Sequence, residues 1–394
     1  MEEVRLLKRE EYGRTRKLWE HVFVEDTGQF LDYYYTVKTK DNEIYVIEKE
    51  DEICSMIQLN PYPMRINDSE FLTHYIIAVA TEERFRRKGF MGALLRTTLK
   101  KMYDRGEPFT FLMPAAEKIY RPYDFRYIYR QEGGNVFGEK EVGGVWKDTS
   151  EVRKMVCREQ KADFEIREAS EEDCRKIAEF ADELLREQYH VLSVRTEQYY
   201  RMMLAEQRSE NGGIGIVEKE GEIAGVFFFA KEEQYEIREP IFKKGEERLL
   251  PQIVCWLTKG EGAVSCGGWN IDVQKIREFV AEEYDRPLIM ARLLDLSVFL
   301  KSLCPRTRFS FAVEVTDPIL EENNRRFLLE SDGKKISVRA EEKKNEKERQ
   351  ISIACLTQIL FGWEPDGREP VSEELLRDLA QVHPVDRVFL NEIV

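Results

Sequence analysis

Apolar positions recur along this chain with two different periods, and the changes of period mark its elements. Residues 9–22 and 26–38 carry apolar side chains at helical spacing. Residues 43–48 and 53–59 alternate instead, on either side of a polar turn at 49–52, which predicts a β-hairpin. Pro61-Tyr62-Pro63 predicts a loop. The hydrophobic run 74–80 then predicts a strand. After it come a basic, glycine-containing turn at 84–92 and a helical pattern with apolar side chains at Met91, Leu94, Leu95, Leu99 and Met102. Gly106 predicts the end of that helix. Residues 109–113 suit a buried strand closed by Pro114, and 115–120 one short helical turn before Pro122.

A second copy of this pattern follows. The stretch 46–53, Val-Ile-Glu-Lys-Glu-Asp-Glu-Ile, reads almost the same as 216–223, Ile-Val-Glu-Lys-Glu-Gly-Glu-Ile. Upstream of each lie a short strand-like stretch (4–7; 164–167) and a long helical pattern (9–22; 171–187). A tandem duplication is the economical explanation. The second copy lacks an Arg-x-x-Gly turn after its hairpin, and residues 233–250 are rich in Glu, Lys and Arg. A third segment starts near Arg286. It holds a helical pattern at Leu293, Leu296 and Leu300, an alternating strand at 309–315, and further strands at 326–330 and 336–340. The charge run 341–349 reads as a solvated hairpin or loop. The chain closes on Val388-Phe389-Leu390-Asn391-Glu392-Ile393-Val394, whose apolar character predicts burial. Three domains are therefore expected, over residues 1–148, 149–285 and 286–394.

Composition narrows the function. A net charge of −14 argues against nucleic-acid and anionic-membrane binding and is compatible with a cationic substrate. No apolar run is long enough to span a bilayer, and Met-Glu-Glu-Val carries no basic region followed by an apolar one, so a cytoplasmic protein is expected. The seven cysteines are scattered without a Cys-x-x-Cys pair, which predicts reduced, buried thiols. His21, His74, His190 and His383 lie far apart, so no metal is expected.

The basic turn carries chemistry. The first amides of a helix have no internal partner, and the helix dipole favours negative charge there. Gly89 lets backbone approach a phosphate, and the flanking basic residues add attraction. The strand, turn and helix together read as a pyrophosphate cradle.

Arg86-Arg87-Lys88-Gly89-Phe90-Met91 resembles the Arg/Gln-x-x-Gly-x-Gly/Ala acetyl-CoA loop of the GCN5-related N-acetyltransferases (GNAT), departing from it at Met91. The tandem pair, a third segment with Asp317-Pro318 and Glu322-Asn323-Asn324, then Leu360-Phe361-Gly362 and the terminal Leu390-Asn391-Glu392-Ile393, is similar over essentially the whole chain to the Eis (enhanced intracellular survival) family. The resemblance implies an α/β (α+β) fold class. Two tandem GNAT folds, with mixed, mostly antiparallel sheets flanked by helices, would precede a sterol-carrier-protein-like domain. The first GNAT fold would be active and the central one degenerate. The resemblance also implies acetyl transfer from acetyl-CoA to an amine of aminoglycoside, polyamine or lysine type, with a small molecule or peptide as partner, and assembly into trimers or hexamers.

Carried over residue by residue, the cofactor contacts fall on Ile77, Ala78 and Val79, on Arg87, Lys88, Gly89, Phe90, Met91 and Gly92, and on Ala115 and Ala116. The proton donor matches Tyr120, with Tyr123 as a rival, and the proton acceptor is the terminal carboxylate of Val394. Such a carboxylate has an ordinary pKa of about 3.5 and is a weak base in water; burial strengthens it. A phenol of pKa about 10 is protonated at neutral pH and suits donation to a leaving thiolate. Asp26 and Glu392 are candidates for an acidic acceptor pocket. The competing reading is a non-catalytic binding or regulatory protein with a lipid-carrier-like domain, motivated by Met91 where the loop has a small residue.

Overall fold

The computed structural model describes residues 3–392 apart from 139, 143–144, 148, 159–162, 232 and 368–369, with no side chains described over 140–148 or at 150. The first unit opens with β1 (Arg5–Leu6), a 3-10 turn (Arg9–Thr15), α1 (Arg16–Val22) and α2 (Gly28–Thr36). The Thr27 side chain caps α2 by accepting from the Phe30 N–H. Next come β2 (Glu43–Lys49), β3 (Glu52–Ile66), β4 (Ser69–Thr81), α3 (Phe90–Asp104), β5 (Phe109–Leu112), α4 (Glu117–Tyr120) and β6 (Arg126–Val136). A small hairpin, β7 (Lys140–Val142) and β8 (Val145–Lys147), leads to α5 (Ser150–Arg158).

Together with α5, the second unit comprises β9 (Glu165–Glu168), α6 (Cys174–Gln188), β10 (Val191–Ser193), α7 (Glu197–Ser209), β11 (Gly213–Lys219), β12 (Glu222–Lys231), β13 (Tyr235–Phe242), α8 (Leu249–Thr258), β14 (Val264–Gly267) and β15 (Val280–Leu293). The rest of the chain forms α9 (Leu296–Lys301), β16 (Arg308–Thr316), β17 (Arg326–Asp332), β18 (Ile336–Glu341), β19 (Gln350–Ser352), α10 (Ile353–Leu360), α11 (Glu373–Leu379) and β20 (Val388–Phe389). This mixed α/β architecture, with helices flanking mostly antiparallel sheets, is the fold class expected.

Both units share one sheet, in the order β1-β2-β3-β4-β5-β15-β6-β14-β13-β12-β11-β9. β15 inserts between β5 and β6, pairing Met290 with Leu112 on one side and Ala291 with Arg126 on the other. Positions 285 and 286, where the sequence suggests a boundary, lie inside this strand. A smaller sheet, β18-β17-β16-β19, belongs to the third segment. Its inner face and α10 form one core with Phe109, Phe111 and Ile128 of the large sheet.

The internal similarity extends to irregularities. The β2–β3 hairpin slips register between Ile47 and Glu48, and β11–β12 slips between Val217 and Glu218. The β3–β4 pair bulges so that Met56 opposes Ala80 while Gln58 opposes Ile77, with Ala78 at φ 50°. The β12–β13 pair does the same: Val226 opposes Ile241, Phe228 opposes Arg238, and Glu239 stands at φ 49°. A bulge is a specific local device, and repeating it at matched places supports duplication more strongly than the hairpin sequence alone.

Two expectations are corrected. Pro61-Tyr62-Pro63 is not a loop but the middle of β3, paired with His74, Thr73 and Leu72. The Pro63 carbonyl accepts from the Val194 N–H, so its nitrogen also faces away from β4, where no donor to β4 is lost. The thiols are not all reduced: Cys157 of α5 is disulfide-bonded to Cys255 of α8. Those helices pack together although their cysteines are 98 positions apart, a proximity that sequence spacing does not reveal. Cys54, Cys174, Cys266 and Cys355 are free and buried, and Cys304 is free and exposed. Among the described residues no group of acids, histidines and cysteines is arranged to hold a metal, and no helix is long and apolar enough to cross a membrane.

Candidate active site

The strand, basic turn and helix form where the sequence locates them. After β4 the chain makes a 3-10 turn (Glu83–Phe85) and enters α3 through Gly89 at φ +85°, a conformation costly for any residue with a Cβ. The first helical bond runs from the Ala93 N–H to the Gly89 carbonyl, leaving the amides of Phe90, Met91 and Gly92 ahead of it. Arg86, Arg87 and Lys88 are exposed, and among the described residues none of them forms an ion pair. Met91 packs partly buried against the cluster of Leu94, Leu95 and Leu99, so its bulk turns to the core and leaves its amide at the helix start. The close approach occurs one residue later. A Cβ on Gly92 would lie 2.6 Å from the Tyr123 hydroxyl.

Beside the cradle the sheet splits. β4 and β5 run parallel but pair only at Tyr75 and Phe111. Ile77, Ala78 and Val79, with the bulge at Ala78, lie on β4 beyond its last pair with β5. Ala115 and Ala116 follow the end of β5 and lead into α4, whose last residue is Tyr120. Val79, Met91, Tyr120 and Tyr123 all join the cluster built on Phe90, Leu112 and Phe125.

Tyr120 is buried and packs edge-on to Phe125, with ring centroids 6.0 Å apart. Its hydroxyl has no hydrogen-bond partner among the described residues, and burial pushes the phenol up to about 12. It therefore holds its proton at neutral pH. Tyr123 is half-buried over the start of α3, beneath the Arg96 guanidinium at 5.5 Å. The turn carrying both tyrosines is fixed from the third segment. Fully buried Arg292 donates to the Tyr123 carbonyl at 3.0 Å and to Asp317 at 2.5 Å, and Asp317 in turn accepts from the Asn323 amide at 3.0 Å.

The tail behaves as its apolar pattern predicts. β20 runs parallel to β10, and Phe389, Leu390 and Glu392 are buried. Ile393 and Val394 lie outside the described residues, as does the carboxylate assigned to Val394. Glu392 accepts from the Ser193 hydroxyl and from the Tyr199 hydroxyl at 3.3 Å, and Arg195 approaches it at 3.6 Å. Arg195 is committed to Glu239, the bulge residue of the second unit, at 2.5 Å. Asp26 is elsewhere: it accepts from the Trp19 indole at 2.6 Å and lines a small cavity with Ser209 and Asn211. Glu392 meets the first turn of α7 and Asp26 its far end, so the two do not share a pocket.

Between them lie residues that sequence reading misses. Lys38, Tyr62 and Glu206 are buried where α2, the β3–β4 arm and α7 meet. Burial pushes the Glu206 carboxyl up to about 7, against the opposing pull of the Lys38 charge. In sequence Lys38 and Glu206 look like ordinary polar positions of two helical stretches. A cavity of about 670 Å³ opens there, with Lys38, Tyr62, His74, Tyr199, Met202 and Met203 in its walls.

Residues 3–128 match the family described as an acetyltransferase (GNAT) domain, and residues 299–365 match a sterol carrier protein domain. The class follows: the chain carries an N-acetyltransferase domain of the GNAT type over 3–128, joined to a sterol carrier protein domain over 299–365. Its architecture is Eis-like. No curated protein matches the sequence. A probable N-acyltransferase from Enterococcus faecalis is similar in fold at 15% identity and TM-score 0.76, covering 97% of this chain and 94% of its own. A GCN5-related N-acetyltransferase from Anabaena variabilis gives 14% and 0.73, covering 99% and 98%. Eis1 from Mycobacterium abscessus gives 15% and 0.61, covering 98% and 94%. At such identities the likeness is one of fold.

Proposed function

We propose that the protein transfers acetyl from acetyl-CoA directly to an amine in a ternary complex, at the cleft between β4 and β5. The observation that carries this is the conjunction of helix-start amides at 90–92, the end of β4–β5 pairing beyond Tyr75, and the buried Tyr120, whose hydroxyl has no partner among the described residues, on the turn after β5. The residues fit the cofactor. Phe90, Met91 and Gly92 amides with Arg87 and Lys88 would hold the pyrophosphate, and backbone of 77–79 with Ala115 and Ala116 would flank the pantetheine arm. The cofactor supplies an acyl thioester. Backbone N–H groups of 77–79 would bond its carbonyl oxygen. The amine nitrogen forms the new C–N bond as the C–S bond breaks. The amine gives its proton to the carboxylate of Val394, and the thiolate takes one from Tyr120.

The small-molecule or peptide acceptor, the location in the cytoplasm, and assembly as a trimer or hexamer belong to the same proposal. So does the division into an active unit over 1–148, a degenerate unit over 149–285 and a third domain over 286–394. Turnover of acetyl-CoA with polyamines, aminoglycosides and lysine peptides tests the reaction; no acetyl-CoA binding at millimolar concentration would refute it. Tyr120→Phe is expected to lower kcat by about 10²-fold or more with little change in acetyl-CoA affinity. Tyr123→Phe showing the larger loss would reassign the donor. Deleting Ile393 and Val394 is expected to lower kcat as well.

A further inference from the structure

The cavity between the β3–β4 arm and α7 has a buried lysine, Lys38, in its wall. Lys38 is 5% exposed, and its Nζ donates to the Tyr62 hydroxyl at 2.7 Å while lying 4.6 Å from that ring's centroid. Among the described residues it forms no ion pair. An ammonium offers three donors, and only one is used. The other basic groups in the wall are committed: Arg105 to Glu43 at 2.7 Å, and His74 to Glu107 at 2.8 Å. Glu206 and Glu392 act on Lys38 only from farther off; Glu206 is held by the Tyr33 hydroxyl at 3.2 Å. Burying an ammonium without a partner is costly, and here the cost falls at the edge of an open space.

The rest of the wall joins apolar Pro61, Pro63, Leu72, Val194, Met202 and Met203 to polar Asn42, Thr196 and Gln198 and to two acids, Asp41 and the Arg105-paired Glu43. A volume of about 670 Å³ suits a small organic molecule. Tyr62 connects this wall to the point where β4 and β5 separate. Its ring meets Tyr75 edge-on with centroids 6.3 Å apart, and Tyr75 marks the point where β4 and β5 separate.

We propose that this chamber binds the acceptor and that Lys38 selects an amine which also carries an anionic group, as an amino acid with an aliphatic or aromatic body does. The anionic group meets the Lys38 ammonium, the body lies on the proline and methionine wall, and the amine reaches past Tyr62 toward Tyr75. The second unit then serves as a wall of the acceptor site through Val194, Met202 and Met203. The bonds formed and broken are those of the transfer above. The inference rests on that transfer for the fate of the amine, but not for the binding of the anion.

Three matched probes test it: hexanoate, hexylamine and 6-aminohexanoate. Calorimetry on the wild-type protein is expected to detect hexanoate, with affinity falling about tenfold or more in Lys38→Met. The KM for 6-aminohexanoate is expected to rise by a similar factor, with kcat and the hexylamine reaction within about twofold. Lys38→Gln, which keeps a hydrogen bond to Tyr62, should show the same loss, and Met203→Trp should exclude hexanoate with Lys38 intact. Equal hexanoate affinity in wild type and both Lys38 variants overturns the inference, as does a wild-type preference for hexylamine over 6-aminohexanoate. If no amine is acetylated yet hexanoate binding still depends on Lys38, the transfer reaction fails and the anion site stands.

Discussion

In the first unit the turn between β4 and α3 carries Arg86, Arg87 and Lys88, all exposed. In the second, the turn between β13 and α8 carries Glu246 and Glu247. Glu247 is buried, accepting from the Gly245 N–H at 3.3 Å and from Lys275 at 2.8 Å. Burial opposes its charge, yet the Lys275 ammonium and the nearby amides hold its carboxyl below the usual range. The protein's own carboxylate thus sits at the turn that, in the first unit, is open to an external anion. The clefts differ in the same sense. Beyond Tyr75, β4 makes no further pair with β5. β13, by contrast, pairs with β14 over three residues up to the bulge at Glu239, and beyond it Ile241 bridges to Asn270. Two copies of one backbone have therefore diverged by filling: one stays open, the other is closed by its own groups. The bulge residue of the closed copy, Glu239, has become the counter-charge of Arg195 beside the C-terminal tail.

The strongest way to break this contrast is to give the first turn the acid of the second. Aligning the starts of α3 and α8 pairs Lys88 with Glu247, and Lys88→Glu is expected to weaken acetyl-CoA binding on the order of a hundredfold. Calorimetry with acetyl-CoA measures it; an unchanged affinity would mean that the turn does not hold the pyrophosphate. A smaller effect should fall on the second unit alone. Reducing Cys157–Cys255, which closes 98 residues within one unit, is expected to cost about 2–4 kcal/mol. The melting temperature should fall while acetyl-CoA affinity changes less than about twofold.

The smallest effect concerns the joint between the units. Glu206 on α7 faces Tyr33 of the first unit, and its folded-state pKa of about 7 lies above the ordinary 4.5. The folded protein binds the extra proton between those values, so stability from this group falls as pH rises through that window and is constant above it. The melting temperature is expected to drop between pH 5 and pH 8, and Glu206→Gln should flatten the drop. Glu239, also raised to about 7 by burial, leaves a remainder. A variant with the full wild-type slope would show that Glu206 titrates normally.

What could be read in sequence was local. The hairpins, the cradle and the buried tail follow from period and turn chemistry over a dozen residues each. Gly89 and Gly106 mark their turns because few other residues tolerate φ of +85° and +75°. What was hidden depends on partners far away in the chain. Pro63 suits a strand only because its nitrogen faces away from β4. Lys38 and Glu206 read as ordinary helix residues until α2 and α7 are brought together. Cys157 and Cys255 pair because α5 packs on α8. Met91 departs from the loop pattern but not from the structure, since its side chain joins the α3 core.

The insertion of β15 between β5 and β6 has a consequence for how the molecule is made. During synthesis β5 and β6 emerge long before residues 280–293, so the first sheet cannot close when its own residues are complete. Two strand edges, one carrying Phe109 and Phe111, must wait uncovered. Pairing across so great a separation is slow, because the loop must close before any contact compensates for it. The nascent acetyltransferase unit therefore remains a partly assembled, aggregation-exposed intermediate until the second unit has followed it out of the ribosome.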